Sequence, residues 1–317
     1  MKKLVALLVM AGFLLLLCSC GSIQAPGETA EPSAYTESVP SLEPSQPRQS
    51  EDAEQILLPT GPETVVPCQP EPADSDFVPV RDYIPDLAVE LKYSTEENFT
   101  GKVIYEFRDA YLRYGTVKKL MAAQQQLSEQ GLGLKLWDSF RPVSAQYTLW
   151  DACPDPAYVA NPNNGFSSHS RGNTVDITLV DASGQEMAMP TGFDDFSARA
   201  DRDYSDCTEE VAANAMLLQA VMEDAGFRGY AGEWWHFSDE DTYPVEGTFE
   251  PLEVHLRLAV CEEYITLRTR PDAASGELAH IPKNVIFTVL ARHDGFLLVS
   301  YEGLRGYVLE CYTEKLI

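Results

Sequence analysis

The sequence predicts a mixed α+β domain over residues 76–251, followed by a small all-β domain over 252–317. Three observations lead there. The chain has 317 residues and is 44% hydrophobic, enough for a sizeable core and, at roughly 150 residues per domain, for about two domains. Between 76 and 251, helical spacing of apolar residues gives way in places to in–out alternation. Beyond 252, short β-rich runs follow one another between turn signals. Composition excludes collagen, coiled-coil and multi-span membrane classes. The 49 acidic and 23 basic side chains give a formal charge of -26. That excludes a nucleic acid partner, which needs a basic surface, and argues against a wall partner held mainly through anionic polymers.

Residues 1–20 are expected to be a signal segment. Lys2 and Lys3 precede an apolar run of 14 residues, Leu4 to Leu17, short of the ~20 that a spanning helix needs. The run ends Leu17-Cys18-Ser19-Cys20-Gly21, which resembles a bacterial lipobox. Cys20 fits as the lipidated residue because small Ser19 precedes it, whereas bulky Leu17 precedes Cys18. The expected location is outside the cell, lipid-anchored to the outer face of the membrane. Residues 21–75 then form a linker: ten of the 21 prolines lie there, with ten acidic residues against Arg48 alone. Such a segment stays extended. Of the seven cysteines, Cys68, Cys153, Cys207, Cys261 and Cys311 remain after Cys18 and Cys20. Export permits disulfides. Cys261 with Cys311, and Cys153 with Cys207, are the candidate pairs. No Cys-x-x-Cys occurs, which disfavours a thiolate zinc site.

The expected elements follow in order. Thr116 caps a helix whose apolar positions are Val117, Leu120, Met121 and Leu127, and Gly131 stops it. Leu134-Lys135-Leu136-Trp137 is a strand. In Thr174-Val175-Asp176-Ile177-Thr178-Leu179, Val175, Ile177 and Leu179 share one face, and Thr174, Asp176 and Thr178 the other. Asp206 with Glu209 resembles a capping box before a helix carrying Val211, Ala215, Leu218 and Met222, ended by Gly226. No internal repeat is visible.

Two runs carry chemistry. Ser167-Ser168-His169-Ser170-Arg171-Gly172-Asn173-Thr174-Val175-Asp176 puts a His seven residues before an Asp on a polar strand face. Gly232-Glu233-Trp234-Trp235-His236-Phe237 supplies a second His with a Glu three residues ahead. Two His and one Asp leave room for water, the pattern of a catalytic zinc site. Glu233 and His236 would point to opposite faces of a flat strand, so a shared site demands a bend near Gly232 or Glu233. Trp234 and Trp235 are expected as core walls. His280 and His293 show no ligand spacing.

Ser-x-His-x-x-Gly-x-x-x-Asp followed by Glu-x-Trp-His is the signature of the zinc D,D-peptidase superfamily. Residues 167–172 with Glu233-Trp234-Trp235-His236 resemble its D-alanyl-D-alanine dipeptidase branch, the vancomycin-resistance dipeptidase type. Tyr93, Asn98 to Lys102, Trp137-Asp138-Ser139-Phe140-Arg141-Pro142 and Phe193-Asp194 resemble that family's substrate-site segments. Thr174 stands where Ala is usual, and Ser139-Phe140 replaces Gly-Tyr; neither change removes a group the chemistry needs. Members of this type can be cytoplasmic, whereas this chain is expected to be exported. The resemblance implies an antiparallel sheet with packed helices and one zinc ion on His169, Asp176 and His236. It also implies Glu233 as catalytic acid/base and Arg141 as transition-state stabiliser.

The resemblance implies D-Ala-D-Ala, or a related cell-wall peptide, as substrate. A dipeptide carries a free ammonium, for which Asp194 is the candidate acceptor, with Ser167 and Tyr93 as further polar contacts; Asp194 also fits a plain acidic loop residue. Alternatives are a D,D-carboxypeptidase or other peptidoglycan peptidase on this scaffold, and a non-catalytic wall-binding lipoprotein. In the C-terminal segment, Leu267 to Pro271, Phe296 and Tyr307 resemble a bacterial SH3-like barrel. That implies either a peptidoglycan-binding module or a barrel that only packs on the enzyme.

Overall fold

The computed structural model describes residues 69–316. The signal segment, Cys18, Cys20, Cys68 and the linker up to residue 68 lie outside them. The described chain makes tertiary contacts ahead of residue 76: Tyr114 donates to Glu71 at 2.9 Å, and Lys118 pairs with Asp74 at 2.6 Å.

Three short strands open the fold: β1 (Phe77–Pro79), β2 (Ala88–Val89) and β3 (Tyr111–Arg113). β1 pairs antiparallel with β3, which runs directly into α1 (Tyr114–Ser128). Thr116 does not cap this helix. Arg113 holds the N-cap position without a side-chain bond, and Thr116, inside the first turn, donates its hydroxyl to buried Asp239 at 2.7 Å. The end of a paired strand sets the helix start here, so no capping residue marks it. Val117, Leu120, Ala123 and Leu127 form the buried stripe, while Met121 is exposed. Gly131 takes φ +72°, the left-handed stop that favours glycine.

Next come β4 (Leu132–Asp138), α2 (Val143–Ala152), β5 (Thr174–Asp181), α3 (Glu209–Asp224), β6 (Phe227–Tyr230) and β7 (Glu233–Asp239). The sheet order is β2-β4-β5-β7-β6. All neighbours are antiparallel except β2 and β4, which are parallel. α1 packs on β4, α3 on β6, and the two helices touch. The expected Asp206 capping box is replaced by Thr208, whose hydroxyl accepts from the Val211 amide at 3.3 Å. Asp206 itself ends a separate short turn, Tyr204–Asp206. In β5 the apolar face is fully buried, and the polar face is buried as well: Thr174, Asp176 and Thr178 are 0%, 3% and 0% exposed. Of that polar row, Asp176 lines a cleft, and Thr174 bonds Ser238 at 2.9 Å.

The second sheet begins with β8 (Glu250–Ala259), just ahead of the expected boundary, and continues with β9 (Tyr264–Arg268), β10 (Glu277–Pro282), β11 (Ile286–His293), β12 (Phe296–Tyr301), β13 (Leu304–Leu309) and β14 (Thr313–Lys315). Its order is β10-β9-β13-β12-β11-β8-β14, with every pair antiparallel. Both faces of its middle strands are buried. Val289, Leu297, Val299 and Val308 fill the domain's own core. Leu290, Phe296, Leu298 and Tyr307 join Phe77, Tyr111, Phe140 and Phe249 in a second apolar cluster, shared with the first domain.

Neither candidate disulfide forms. Cys153, Cys207, Cys261 and Cys311 are all free. Cys153 follows the end of α2 and Cys207 lies in the turn before α3, on separate elements, while Cys311 sits exposed in the one-turn helix Glu310–Tyr312. Among the described residues no helix is long and apolar enough to cross a membrane.

Candidate active site

Three adjacent strands bring the site together. Asp176 on β5 lies directly across from His236 on β7. On its other side, a register shift after Leu136 places Asp138 of β4 opposite Asp176. His169 comes from a short turn, Ser168–Arg171, that ends at Gly172 with φ +76°. A Cβ at Gly172 would also collide with the Phe77 ring, so glycine is required there on two counts.

His169 Nε2 lies 3.3 Å from Asp176 Oδ2, and His236 Nδ1 lies 3.1 Å from Asp176 Oδ1. The two imidazole nitrogens are 3.4 Å apart. The other ring nitrogens have partners elsewhere. His169 Nδ1 is 2.8 Å from the Ser139 carbonyl, which can only accept, so Nδ1 carries the proton and Nε2 faces the cluster with a lone pair. His236 Nε2 meets the Ser168 hydroxyl at 3.4 Å.

A metal ion fits this set. One ligand atom from each of His169, Asp176 and His236 lies within 4.8 Å of the others. Asp176 Oδ1 is buried, and its near neighbour His236 Nδ1, at 3.1 Å, is not aligned to donate to it, a costly state unless a cation compensates it. Burial would raise the Asp176 pKa, but His169 and His236 hold it well below the usual carboxylate range. Burial lowers the pKa of His236, but Asp176 and Glu233 outweigh it and leave the imidazole above its ordinary value. The cluster thus demands positive charge, from a proton or from a metal.

The bend demanded of β7 is present. Gly229 of β6 pairs with Phe237, and the next residue, Tyr230, pairs with Glu233. Trp234, Trp235 and His236 lie in the resulting bulge, and Glu233 Oε2 comes within 3.5 Å of His236 Nδ1. Burial raises the Glu233 pKa, with Asp176 adding to it against the pull of His236. Trp234 and Trp235 are buried walls, as expected, and Trp234 donates to Thr191 at 2.9 Å.

Arg141 is buried and tightly held. Its Nε and Nη2 donate to Asp138 Oδ2 at 2.9 and 2.6 Å, and its Nη1 to Gln146 at 2.9 Å. Its Nη2 lies 3.8 Å from Asp176. Three of five guanidinium N–H groups are thereby engaged, and two remain. Tyr93 lies with its ring 4.8 Å from the guanidinium carbon, and its hydroxyl donates to both Asp194 oxygens at 3.2 and 3.0 Å. Burial and the nearby Asp194 push the Tyr93 pKa well up, so it stays a neutral donor. Asp194 takes φ +55°. Its carboxyl is pushed up to about 8, first by burial and then by Asp176. Ser167 is buried, and its hydroxyl accepts from the His169 amide at 3.3 Å, fixing the ligand turn. Arg141, Tyr93, Asp194 and Ser167 line one cleft of about 320 Å³ with the metal cluster and Glu233, at the small end of the usual ~300–1,000 Å³ range for ligand sites.

The structure adds two residues to which sequence reasoning gave no role. Asp138 is fully buried. It anchors Arg141, accepts from Tyr105 at 2.7 Å and lies 3.5 Å from His169 Nδ1. An acid three residues before Arg141-Pro142 was the available signal. Gln146 joins Arg141 to the Ala160 carbonyl at 2.8 Å, a link that nothing in the local sequence marks.

Residues 73–254 match the family model described as D-ala-D-ala dipeptidase, the Peptidase_M15 family. A D-alanyl-D-alanine dipeptidase of Escherichia coli (strain K12) is 38% identical over 163 residues, covering 51% of this chain and 84% of that one. One of Enterococcus faecium is 33% identical over 176 residues, covering 49% and 87%. A solved structure of VanYB in complex with D-Alanine-D-Alanine is 13% identical with a TM-score of 0.29, covering 43% of this chain and 76% of that one; a likeness that slight carries no argument. The family match spans more than half of the chain and includes every residue of the cleft, and the chain belongs to the D-Ala-D-Ala dipeptidase family of peptidases.

Proposed function

We propose that this protein hydrolyses D-Ala-D-Ala to two D-Ala, with one zinc ion held by His169, Asp176 and His236, as part of cell-wall peptide metabolism. The observation that carries this is the presence of two further carboxylates, Glu233 and Asp194, in the one cleft that holds the three-residue metal cluster. Glu233 lies 3.5 Å from His236, and Asp194, bonded to Tyr93, faces the same cleft. Bound zinc would lower the pKa of its water to ~7 and polarise the scissile carbonyl. Glu233, with its raised pKa, accepts a proton from the attacking water and delivers it to the leaving amine nitrogen. Arg141 keeps two N–H groups for the oxygen that gains negative charge, and its anchors on Asp138 and Gln146 mean little reorganisation is needed. Asp194 receives the substrate ammonium, Tyr93 orients Asp194, and Ser167 fixes the turn that carries His169.

The remaining parts fit an exported enzyme. Lipid on Cys20 would anchor the chain to the outer face of the cell membrane, and the part of the linker ahead of Glu71, which already packs on the peptidase domain, would hold that domain off the surface. Residues 252–317 form the domain read as SH3-like, a candidate for peptidoglycan contact. Phe296 and Tyr307 are buried in the shared cluster, so a wall ligand would have to use other residues of that domain.

The test is to load protein lacking residues 1–20 with zinc, incubate it with D-Ala-D-Ala and with stem pentapeptide, and identify the products by mass spectrometry. Conversion of the dipeptide with little release of D-Ala from the pentapeptide is expected. Faster release from the pentapeptide would make it a carboxypeptidase, and no product from either would refute a peptidase on these substrates.

A further inference from the structure

We infer that the C-terminal domain is a working part of the active site: through Phe140, it sets the position of the loop that carries Arg141 and orients His169. This rests on the dipeptidase reading of the cleft.

Phe140 is fully buried, and its two neighbours in the chain both serve the site. The Ser139 carbonyl accepts from His169 Nδ1 at 2.8 Å, and Arg141 faces the cleft. The Phe140 ring meets Phe77 edge-on at 4.7 Å and Phe249 at 5.4 Å. Phe77 in turn stacks on Phe249 at 4.3 Å and lies directly against Gly172, the residue that ends the His169 turn. The loop and the turn are also tied to each other: the Arg141 amide donates to the His169 carbonyl at 3.3 Å, and the Ser170 hydroxyl to the Arg141 carbonyl at 2.9 Å. Both segments therefore rest on one aromatic layer.

The far side of that layer is the C-terminal domain. Leu290, Phe296, Leu298 and Tyr307 complete the cluster, and the Tyr111 hydroxyl reaches the Leu290 carbonyl at 3.4 Å. Strand alternation explains how one domain does this while keeping its own core. In β12, Leu297 and Val299 face inward, and Phe296 and Leu298 face the first domain. A domain that merely hung from the enzyme would show a polar outer face there. Close packing transmits small shifts, and an error of about 1 Å at a catalytic group can cost up to ~100-fold in rate. Phe140 is a positioning residue in this account, since it touches neither substrate nor metal.

Leu298 and Leu297 provide a matched test in the full-length protein. They are chain neighbours on opposite faces of one strand. Leu298→Ala should speed hydrogen exchange at the amides of residues 139–141 and 168–172 in the metal-free protein. It should also weaken zinc binding in a chelator competition and lower kcat, each by about tenfold, with the KM for D-Ala-D-Ala little changed. Leu297→Ala should lower thermal stability at least as much, yet leave the exchange, the zinc affinity and kcat within about twofold. Leu298→Met should restore the unmutated values. If Leu298→Ala does not fold, Phe296→Leu carries the same comparison. Equal effects of the two alanine variants on residues 139–141 and 168–172, or no effect of either, would overturn the inference. The exchange and zinc readouts decide this even if the unmutated protein fails to cleave the dipeptide.

Discussion

Replacing Asp194 with Asn tests the basis of substrate length. In the proposed complex its carboxylate pairs with the substrate ammonium, an interaction worth about 1.5–3 kcal/mol as a charged hydrogen bond. N-acetyl-D-Ala-D-Ala has no such charge. The structure adds a cost. With its pKa pushed up to about 8, Asp194 is protonated in most free molecules at pH 7, and ionising it there takes ~1.4 kcal/mol. On that metal-free value the preference for the free dipeptide at pH 7 is ~1.6 kcal/mol at the strong end, about 15-fold in kcat/KM, and a bound zinc ion would raise it by easing the ionisation of Asp194. At pH 8 the cost of ionising Asp194 falls to ~0.4 kcal/mol, and half-loss of the substrate's own ammonium, whose pKa is about 7.7–8.0, adds a similar amount. The metal-free figure thus rises to ~2.2 kcal/mol, about 40-fold. The preference should climb from pH 6 to 8 and decline above, as the ammonium is lost. The assay is D-Ala release from the free and acetylated dipeptides across that range, for the unmutated protein and for Asp194→Asn. The variant should show a preference of no more than a few-fold and no climb with pH. An unmutated protein that cleaves both peptides equally at every pH, or an Asp194→Asn variant that keeps the climb, would refute the assignment.

Other expectations follow from the same geometry. Glu233→Gln should keep one zinc per chain by elemental analysis while losing about 10²–10⁴ in turnover; His236→Ala should lose the zinc, and the reverse pattern would exchange their roles. Asp138→Asn leaves the buried Arg141 charge without its anchor, so thermal unfolding should show a loss of about 3–5 kcal/mol, with kcat falling as well. Arg292, then Arg257, hold Glu310 down to a pKa of about 2. A depressed carboxylate contributes stability above its unfolded pKa of ~4.3 and loses it as pH falls through the folded value. Glu310→Gln should therefore lower the unfolding temperature at pH 7, by an amount worth up to about 1 kcal/mol for this partly exposed pair, and the difference should shrink as pH falls from about 4 and vanish only below about pH 2. Cys20→Ala should move the protein from the membrane fraction to the soluble fraction and Cys18→Ala should not; equal retention would sink the lipid-anchor proposal.

Local chemistry made the metal cluster legible in the sequence. His169 stands just ahead of a glycine turn, and Asp176 follows on the polar side of an alternating strand. Their relation is carried by a short piece of chain whose geometry has few options. The bend near Glu233 was legible as a demand, because a flat strand could not serve both Glu233 and His236. The apolar stripe of α1 and the left-handed stop at Gly131 likewise depend only on neighbours in sequence. Other features depend on partners far along the chain. Thr116 has the chemistry of a cap, but Asp239, brought in from β7, takes its hydroxyl. Asp138 was visible as an acid near an arginine, but its burial and its contacts with Tyr105, Arg141 and His169 exist only once β4, β5 and the His169 turn are assembled. Side-chain alternation puts the residues of β12 on two faces but does not say that each face is buried against a different core. That was decided by the docking of the two domains, because burying one apolar surface requires a second that no local pattern specifies.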